Sequence, residues 1–600
     1  MIRPPPRAGR DRKRFAGVLC ALGVVLVSVG PVAATADRPS PANSAAQSRG
    51  HVCGATSIRG TPDPGHPVVD LSFNYGIPAG AFSGDPVPIV IHMHRASYQH
   101  REPCAATDDV LASATNDEPF SLASLLDAGF AVVSWDARGH NCWAPGLNPS
   151  ETCGYSYLGH PGYEYADLSR LIDWLAHQVW VLKDEGPIPN DVRVGLLGES
   201  MGAMIAVGSE GFDTTDAYGD SRIDAIAAYL PVCDLYSLVE QNGAPRRLWP
   251  ELLFTAVPAT TKYPSSVHEQ AQWWRLTGQV PAELGQWLWE ASPCRYVFEE
   301  FGGSIDHRSE FTITAPRSID KPLLVTAGMR DGAGTPAHLH ALVEAVGERG
   351  VPVKFVTTNE THTAFEPAMG WGSDLCVASC LFPCGNPDAS IERWFRRHLA
   401  GDNSIDTGPR FEIALDDEGC ARHVTSLEPR TSFPAASATI DVREVFVEAL
   451  VTSAADLLAA RLDPLLVGRV ELSFETEPLA QDESLVASLR VENNVDPSRN
   501  RILHGRLTGF RLSNVVSSSS QDGTVVVRDL VIGMIGTELV YDPTTGENEK
   551  LFLRIQKVKE PYYQANLSFA PVALTEVVVK LPTGQPMRAV GSPGNQEGEP

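Results

Sequence analysis

The segment GLLGESMGAMIA, residues 195–206, joins an apolar strand-like run to a run of small residues typical of the start of a helix. Ser200 stands at the junction, with Gly198 and Gly202 two residues to either side. A G-x-S-x-G sequence between a strand and a helix is typical of a nucleophile elbow, a tight turn that exposes the serine hydroxyl. Five residues alone also fit a plain glycine-rich joint, and only distant parts of the chain can separate the two interpretations.

Short apolar runs recur on both sides of this segment. They cover residues 88–92, 131–135, 192–197, 223–230, 322–327 and 353–357. Each is continuously apolar, which is typical of parallel strands that are covered on both faces. Amphipathic helical patterns lie between them, one of which consists of Leu168, Leu171, Ile172, Leu175 and Val179. Strands that alternate with helices predict a doubly wound, mostly parallel sheet in an α/β fold, closed by a helix at 390–399.

A reactive serine needs a neighbouring base, and the base needs an acid that orients it. Asp331 and His362 each follow directly on one of the predicted strands. The chain order serine, acid, histidine and the position past the strand ends both agree with a site at the carboxyl edge of an open α/β sheet. The sequence therefore predicts Ser200 as nucleophile, His362 as general base and Asp331 as orienting acid. Asp234, which follows an earlier strand, is the alternative acid.

With these positions, residues 65–400 resemble the α/β-hydrolase superfamily of serine hydrolases. Residues 92–95 (HMHR) occupy the position of that family's oxyanion loop. The resemblance implies that backbone N–H groups of Met201 and of Met93 or His94 hold the oxyanion. Residues 136–139 (DARG) look like the D-x-R-G turn of this superfamily, including its prolyl peptidases, where the turn has a structural role.

Two further patterns have the spacing of metal ligands. His92 and His94 stand two residues apart, but the further ligands of a metallohydrolase do not follow them. A second group, spaced by four, consists of Cys376, Cys380 and Cys384. In an exported protein such cysteines more often form disulfides. We therefore expect neither a metal nor a cofactor.

The first 36 residues predict a secretory signal peptide, with a basic start, an apolar run at 16–29 and an A-x-A site at 34–36. An uncleaved signal anchor is the alternative. Removing the peptide changes the formal net charge from -25 to about −30. Such an acidic protein repels phosphate groups, so we exclude nucleic acid as a partner and expect a secreted, extracytoplasmic protein.

The chain has 11 cysteines, of which one, Cys20, lies in the predicted signal peptide. The other ten all fall between positions 53 and 420. Their even number in an exported chain predicts disulfides, although sequence does not decide the pairing. A bond between Cys142 and Cys153 would close a short loop. A bond between Cys233 and Cys294 would bracket a long insertion. The cysteine-free remainder of the chain indicates a domain boundary.

The 600 residues are too many for one average domain. We predict a catalytic domain at 53–420, with an insertion at about 233–320 between two strands. That insertion carries Trp249, Trp273, Trp274, Trp287 and Trp289. A connection of this length is usually functional or a small subdomain. It is either a helical lid over a pocket or a fixed structural cap.

After residue 420 the pattern changes to β-rich runs separated by turn-forming clusters. Leu551, Leu553 and Ile555 stand at every second position, which predicts a strand with one buried face. Residues 454–466 predict one helix. We expect an all-β accessory domain at 430–587 and a flexible tail at 588–600. The domain either contacts a polymer or cell surface or stabilises the enzyme.

These features predict a secreted serine hydrolase that cleaves a small-molecule or polymeric carboxylic ester through an acyl-enzyme. A serine exopeptidase of the prolyl-peptidase type is the alternative. It would need a carboxylate for the substrate ammonium, and the insertion offers Glu251, Glu283, Glu290, Glu299 and Glu300. A binding protein on an inactive hydrolase scaffold is the third possibility, but such proteins usually lack part of the triad.

Overall fold

A computed structural model describes residues 51–582 of the chain, with gaps. The gaps are 65–67, 79, 82–83, 97–102, 105–119, 141–153, 185–187, 189–190, 213, 216–219, 242–243, 247, 257–260, 278, 297–318, 361, 363–386, 416–419, 423–430, 435–437, 441–445, 463–464, 477–483, 500, 504–507, 512–516, 520–524 and 558–571. The predicted signal peptide, the C-terminal tail, the pair Cys142 and Cys153, and the three clustered cysteines lie outside the described residues.

A ten-stranded sheet forms the centre of the first domain. Its strands are β1 (His51–Arg59), β2 (Asp70–Pro78), β3 (Ile89–Met93), β4 (Ala131–Trp135), β5 (Val194–Glu199), β6 (Ile223–Tyr229), β7 (Leu323–Gly328), β8 (Val353–Thr358), β9 (Phe411–Ala414) and β10 (Cys420–Arg422). Their spatial order is β1-β2-β4-β3-β5-β6-β7-β8-β9-β10. Neighbours from β4 to β9 are parallel, and antiparallel pairs occur only at the edges. The prediction of an α/β fold with a mostly parallel sheet is confirmed.

The central strands are buried because they carry apolar residues on both faces. Every residue of β3, β4, β5 and β7 is buried. On β3, Ile89 and Ile91 belong to one hydrophobic cluster and Val90 to another, so the two clusters cover opposite faces of the sheet. The six predicted central strands agree with the observed ones to within two residues at each end.

Eight α-helices accompany this sheet in the part of the chain that the structure describes. They are α1 (Leu122–Asp127), α2 (Ala166–Leu175), α3 (Met201–Phe212), α4 (Leu248–Glu251), α5 (Ser265–Thr277), α6 (Ala282–Glu290), α7 (Pro336–Glu348) and α8 (Pro387–His398). Helices α1 and α8 pack on one face of the sheet, and α2, α3 and α7 on the other. The predicted stripe on α2 is buried up to Leu175, but Val179 is 86% exposed and the prediction was wrong there. The helix ends because the chain turns back to form the bridge from Val181 to Val87.

The insertion between β6 and β7 contains α4, α5 and α6. The predicted disulfide between Cys233 and Cys294 closes its base. A second disulfide, which the sequence did not suggest, joins Cys53 to Cys104. Trp249, Trp274 and Trp289 are buried, so the tryptophans mainly pack the insertion against the rest of the domain. A lid that moves stays a prediction. No helix in the described part of the chain is long and apolar enough to cross a membrane.

The described part of the C-terminal domain is β-structure apart from a short helix, α9 (Ala454–Ala459), and one 3₁₀ turn at Pro497–Arg499. Its strands are β11 (Thr431–Pro434), β12 (Ala438–Ile440), β13 (Phe446–Ser453), β14 (Leu465–Thr476), β15 (Ser484–Asn493), β16 (Arg501–Ile502), β17 (Thr508–Arg511), β18 (Ser518–Ser519), β19 (Val525–Glu538), β20 (Tyr541–Asp542), β21 (Glu547–Lys557) and β22 (Val572–Leu581). They form two six-stranded sheets that share one hydrophobic core. The fold is therefore a β-sandwich, and its all-β class is as predicted.

Two details of this sandwich bear on the sequence predictions. Leu551, Leu553 and Ile555 all lie in its core, as their alternation indicates. The helix predicted over 454–466 is wrong in extent, because it ends at Ala459. Arg461 has a φ of 59°, a left-handed conformation that a helix cannot continue through, and β14 begins four residues later.

The two domains also share a hydrophobic interface. Val467 of β14 and Met534 of β19 are buried in the hydrophobic cluster of the hydrolase domain, on the side that contains α7. They leave 6% and 1% of their surface exposed. The sandwich is thus packed against the helix that follows Asp331.

Candidate active site

Ser200 stands alone between the end of β5 and the start of α3. Its φ is 53°, a left-handed conformation that is rare for a residue with a side chain. The Ser200 N–H donates to the carbonyl of Tyr229 at 2.9 Å, and the Ser200 carbonyl accepts from the N–H of Met204 at 3.0 Å. Hydrogen bonds from β6 and α3 therefore hold a strained turn, as is common at functional sites.

The two glycines of the motif allow a close approach of the backbone. A Cβ on Gly198 would lie 2.2 Å from the carbonyl oxygen of Gly202. A Cβ on Gly202 would lie 2.1 Å from the carbonyl oxygen of Met93. Neither position has room for a side chain, and the second contact shows that the segment after β3 packs directly on the elbow.

The structure brings the three predicted catalytic residues together. Ser200 Oγ lies 2.7 Å from His362 Nε2, and His362 Nδ1 lies 2.8 Å from Asp331 Oδ2. Asp331 is fully buried, and its second oxygen accepts N–H groups of Ala333 and Gly334 at 2.6 and 2.9 Å. The carboxylate is thereby fixed in orientation, and it can hold the imidazole with Nε2 facing the serine.

The alternative acid, Asp234, lies elsewhere. Its carboxylate accepts the N–H of Tyr236 at 3.0 Å, and its carbonyl accepts the hydroxyl of Ser237 at 2.6 Å. It also acts electrostatically on His338 of α7. Asp234 therefore organises the start of the insertion, and Asp331 is the acid beside His362.

The side chain of His94 fixes the predicted oxyanion loop. Its Nε2 accepts the N–H of Ala137 at 3.1 Å, so the ring proton is on Nδ1, which lies 2.7 Å from the Arg95 carbonyl. Both ring nitrogens are occupied, so His94 is not arranged to bind a metal. The backbone N–H donors assigned to Met201 and to Met93 or His94 stay a prediction.

An ion pair links this loop to the elbow. Arg95 Nη1 lies 3.3 Å from Glu199 Oε1, and the side chains are 14% and 4% exposed. Glu199 directly precedes Ser200 in the chain. The ion pair therefore links the predicted oxyanion loop to the elbow. The sequence analysis missed this contact. The signal was an acidic residue at the end of an otherwise apolar strand, which requires a nearby cation when buried.

Trp249 is a second neighbour that the sequence analysis did not assign to the site. It belongs to α4 of the insertion, is 5% exposed, and its ring meets the His362 ring edge to face at 5.1 Å. The insertion therefore covers one side of the His362 ring and excludes water from it. Tryptophan content indicated a packed insertion but could not show which ring reaches His362.

Tyr229, which is buried, and Glu360, which is half-buried, form a polar pair close to His362 in the chain. The Tyr229 hydroxyl donates to Glu360, which also accepts from Thr358 Oγ1 at 3.1 Å. Burial, followed by the Glu360 carboxylate, raises the pKa of Tyr229, so the phenol remains protonated. The pair anchors the start of the loop that carries His362.

The D-x-R-G turn is held by an ion pair in the interior. The fully buried Arg138 guanidinium donates to both oxygens of Asp167, at 2.7 and 2.8 Å, and to the carbonyl of Thr61 at 2.6 Å. This bidentate geometry is the strong form of an arginine–carboxylate pair. It fixes the turn whose Ala137 N–H in turn holds His94.

Comparison with known proteins gives one family match and several related folds. The family model of the X-Pro dipeptidyl-peptidases (S15 family) matches residues 69–364. An α-amino acid ester hydrolase structure has a TM-score of 0.55 at 13% identity, over 92% of this chain and 100% of the other. A CocE/NonD family hydrolase from Staphylococcus aureus has a TM-score of 0.54 at 12% identity, over 89% and 97%. No curated protein matches the sequence.

At such low identity the solved structures establish the fold. Together with the family match, they identify the chain as a serine hydrolase of the α/β-hydrolase superfamily. Within that superfamily the sequence is similar to the S15 peptidases through the segment that contains all three triad residues.

Proposed function

We propose that this protein is a secreted serine esterase in which Ser200, His362 and Asp331 form the catalytic triad. The observation that carries the proposal is the continuous chain of contacts from Ser200 Oγ to His362 at 2.7 Å and from His362 to Asp331 at 2.8 Å. Ester hydrolysis needs this set: a nucleophile, a base within hydrogen-bond reach and an acid that orients the base.

Each step follows from these positions. Ser200 Oγ attacks the ester carbonyl while His362 Nε2 takes its proton. Asp331 stabilises the imidazolium that forms, and N–H groups of Met201 and of Met93 or His94 stabilise the oxyanion. His362 then gives the proton to the leaving alcohol, an acyl-enzyme remains on Ser200, and a water activated by His362 releases the acid.

The carboxylates of the insertion support an ester rather than an aminoacyl substrate. Glu251 is paired with Arg275 at 2.8 Å, Glu283 accepts from Gln270 at 2.7 Å, and the third, Glu290, pairs with His160 at 3.0 Å. Each of these carboxylates has a partner within the protein. Glu299 and Glu300 lie outside the described residues.

A serine exopeptidase is the second candidate, and the match to the X-Pro dipeptidyl-peptidase family favours it. Both reactions use the same acyl-enzyme chemistry, so the substrate panel decides between them. We expect p-nitrophenyl esters of short acids to be turned over faster than X-Pro and aminoacyl p-nitroanilides. Faster cleavage of the anilides would replace the first proposal by the second.

A fluorophosphonate probe tests whether the scaffold is active at all. We expect the purified mature protein to be labelled on Ser200 and the Ser200→Ala variant to remain unlabelled. The Ser488→Ala variant is the matched control, because Ser488 is a buried serine of the sandwich, on strand β15 and away from the elbow. Absence of labelling of the wild-type protein would support an inactive binding scaffold instead.

Secretion and the role of the sandwich belong to the same proposal. Two disulfides among the described residues support export to an oxidising compartment. N-terminal sequencing of protein from the culture medium should begin near Asp37. Contact of the sandwich with a polymer can be tested by sedimenting full-length Ser200→Ala protein with insoluble polyester, and an unbound protein would leave only the stabilising role.

A further inference from the structure

A cavity of about 440 Å³ opens between the hydrolase core and the insertion. Tyr157 and Tyr163 line one wall, and Gln270, Glu283 and Trp287 line the other. None of the triad residues lines it. We propose that this cavity is a binding site for a neutral sugar residue of a saccharide, separate from the catalytic triad.

The walls of the cavity are held together before any ligand binds. His160 Nε2 on the core side lies 3.0 Å from Glu290 Oε2 on α6. Ser156 donates its N–H to the carbonyl of Lys262 at 2.8 Å, and the Lys262 ammonium lies 4.7 Å from the centre of the Tyr155 ring. A preformed site costs little ordering when a ligand binds, which favours recognition of a weakly interacting ligand such as a sugar.

The lining excludes anionic ligands. No described residue that lines the cavity carries a positive charge, and Glu283 contributes a carboxylate. Arg138, which lies 5.1 Å from the centre of the Tyr163 ring, is completely buried and paired with Asp167. The protein as a whole carries a formal charge of -25. Phosphates and acidic polymers would therefore be repelled.

The arrangement of the rings also disfavours an organic cation. A cage for a quaternary ammonium presents several aromatic faces to the ligand. Here Tyr157 and Tyr163 stack on each other, with ring centres 3.8 Å apart and planes at 10°, and the Arg138 guanidinium already lies over Tyr163. The facing ring surfaces of this pair are not available to a ligand, and neither is the face of Tyr163 that Arg138 covers.

What remains matches a neutral polyhydroxylated ligand. Ser265 and Ser266 are exposed hydroxyls on the rim, and Gln270 and Glu283 form an amide–carboxylate pair at 2.7 Å. Such groups donate to and accept from sugar hydroxyls. The half-buried Trp287 ring provides the apolar surface on which the C–H face of a sugar ring packs. Both halves of sugar recognition are therefore present in one preformed cavity.

Binding is tested on the full-length Ser200→Ala protein, so that no turnover interferes. Cellohexaose, xylohexaose and maltohexaose are titrated by isothermal calorimetry. We expect saturable binding of at least one of them, with a Kd of roughly 0.1–1 mM, which corresponds to about −4 to −5.5 kcal/mol. Trp287→Ala and the double variant Gln270→Ala/Glu283→Ala should each weaken it at least tenfold.

Trp273→Ala is the matched control, because Trp273 lies on α5, is 57% exposed and does not line the cavity. It should bind like the parent protein. No binding of any of the three oligosaccharides up to about 10 mM, or equal binding by the Trp287→Ala protein, would overturn the proposal. Turnover of a p-nitrophenyl ester by Trp287→Ala with Ser200 intact is measured separately, so that failure of the esterase proposal and failure of the sugar site remain distinguishable.

Discussion

The central sheet and the C-terminal sandwich bury their strands in different ways. Every residue of β3, β4 and β5 is buried, because helices cover both faces of the parallel sheet. On β21, Leu551, Leu553 and Ile555 are buried while the residues between them are partly exposed. The central sheet thus has two apolar faces, whereas each sheet of the sandwich has one.

This difference determines where functional side chains from distant parts of the chain can come together. Parallel strands all end at the same edge, so loops from distant parts of the chain meet there. That is how Ser200, Asp331 and His362 come within hydrogen-bond distance of one another. Antiparallel strands send successive turns to opposite ends, and the sandwich brings no comparable set together among its described residues. Paired substitutions in the two regions test this contrast.

The largest effect is expected from removing the nucleophile. Ser200→Ala should lower kcat on a p-nitrophenyl ester by about 10⁴- to 10⁶-fold, because no other group can form the acyl-enzyme. Ser488→Ala, at a buried serine of β15, should leave kcat within about twofold. Retention of more than about 1% of the activity by Ser200→Ala would contradict the assignment of the triad.

Two glycine substitutions should distinguish the effect of steric crowding from the effect of backbone strain. Gly202→Ala places a methyl group 2.1 Å from the Met93 carbonyl, so the oxyanion loop must move and kcat should fall by about 10²- to 10³-fold. Gly546→Ala in the sandwich has a φ of 74° but open space around it. It should cost about 1 kcal/mol of stability and no activity. An active Gly202→Ala enzyme would show that this contact does not position the oxyanion donors.

The ion pair beside the nucleophile should matter more than a similar pair on the sandwich. Glu199→Gln leaves the Arg95 charge buried without its carboxylate, and we expect kcat to fall by about 10- to 100-fold with a smaller change in KM. Glu199→Asp should restore part of kcat. The control, Glu492→Gln, breaks a 2.9 Å pair with Arg490 that is 37% and 27% exposed, and it should change neither constant. Equal kcat values for wild type and Glu199→Gln would show that the Glu199–Arg95 pair does not contribute to catalysis.

The smallest expected effect is a dependence of stability on pH. Burial, followed by the neighbouring Asp184 carboxylate, raises the pKa of Asp224 from 3.8 to about 8. The stability that its protonated form contributes is complete below pH 3.8 and is lost as the pH rises through about 8. Asp224→Asn, which cannot ionise, should therefore have a free energy of unfolding about 1–2 kcal/mol higher than wild type at pH 9, measured by thermal or urea denaturation.

An aspartate of the sandwich, Asp542, is expected to give the opposite dependence of stability on pH. Hydrogen bonds from the Thr544 hydroxyl and N–H lower the pKa of Asp542, so its contribution is present above pH 3.8 and is lost as the pH falls. Asp542→Asn should lower the melting temperature slightly at pH 7 and not at pH 2. Parallel pH curves for wild type and Asp224→Asn would contradict the proposed titration.

The parts of this fold that follow from sequence are those with local causes. Continuous apolar runs predict the central strands, and the motif around Ser200, together with an acid and a histidine just past strand ends, predicts the triad. The helix at 454–466 was overestimated because the left-handed conformation of Arg461 is a single-residue property that periodicity does not reveal.

The contacts that were missed depend on tertiary packing. Glu199 and Arg95 stand far apart in sequence, and only the parallel pairing of β3 with β5 brings their strand ends together. Trp249 was one of five tryptophans in the insertion, and its position over His362 depends on where the Cys233–Cys294 disulfide and α4 place it. The sequence shows an acidic residue at the end of an apolar strand but not its partner, and it does not show which tryptophan reaches His362.

The interface formed by Val467 and Met534 also constrains the order of events during synthesis. The hydrolase half leaves the ribosome, and would cross a membrane, before either residue is available to cover the hydrophobic patch near α7. Until β14 and β19 arrive, that patch is open to chaperones and to aggregation. The maturation of the catalytic half is therefore completed only when the last third of the chain has been delivered.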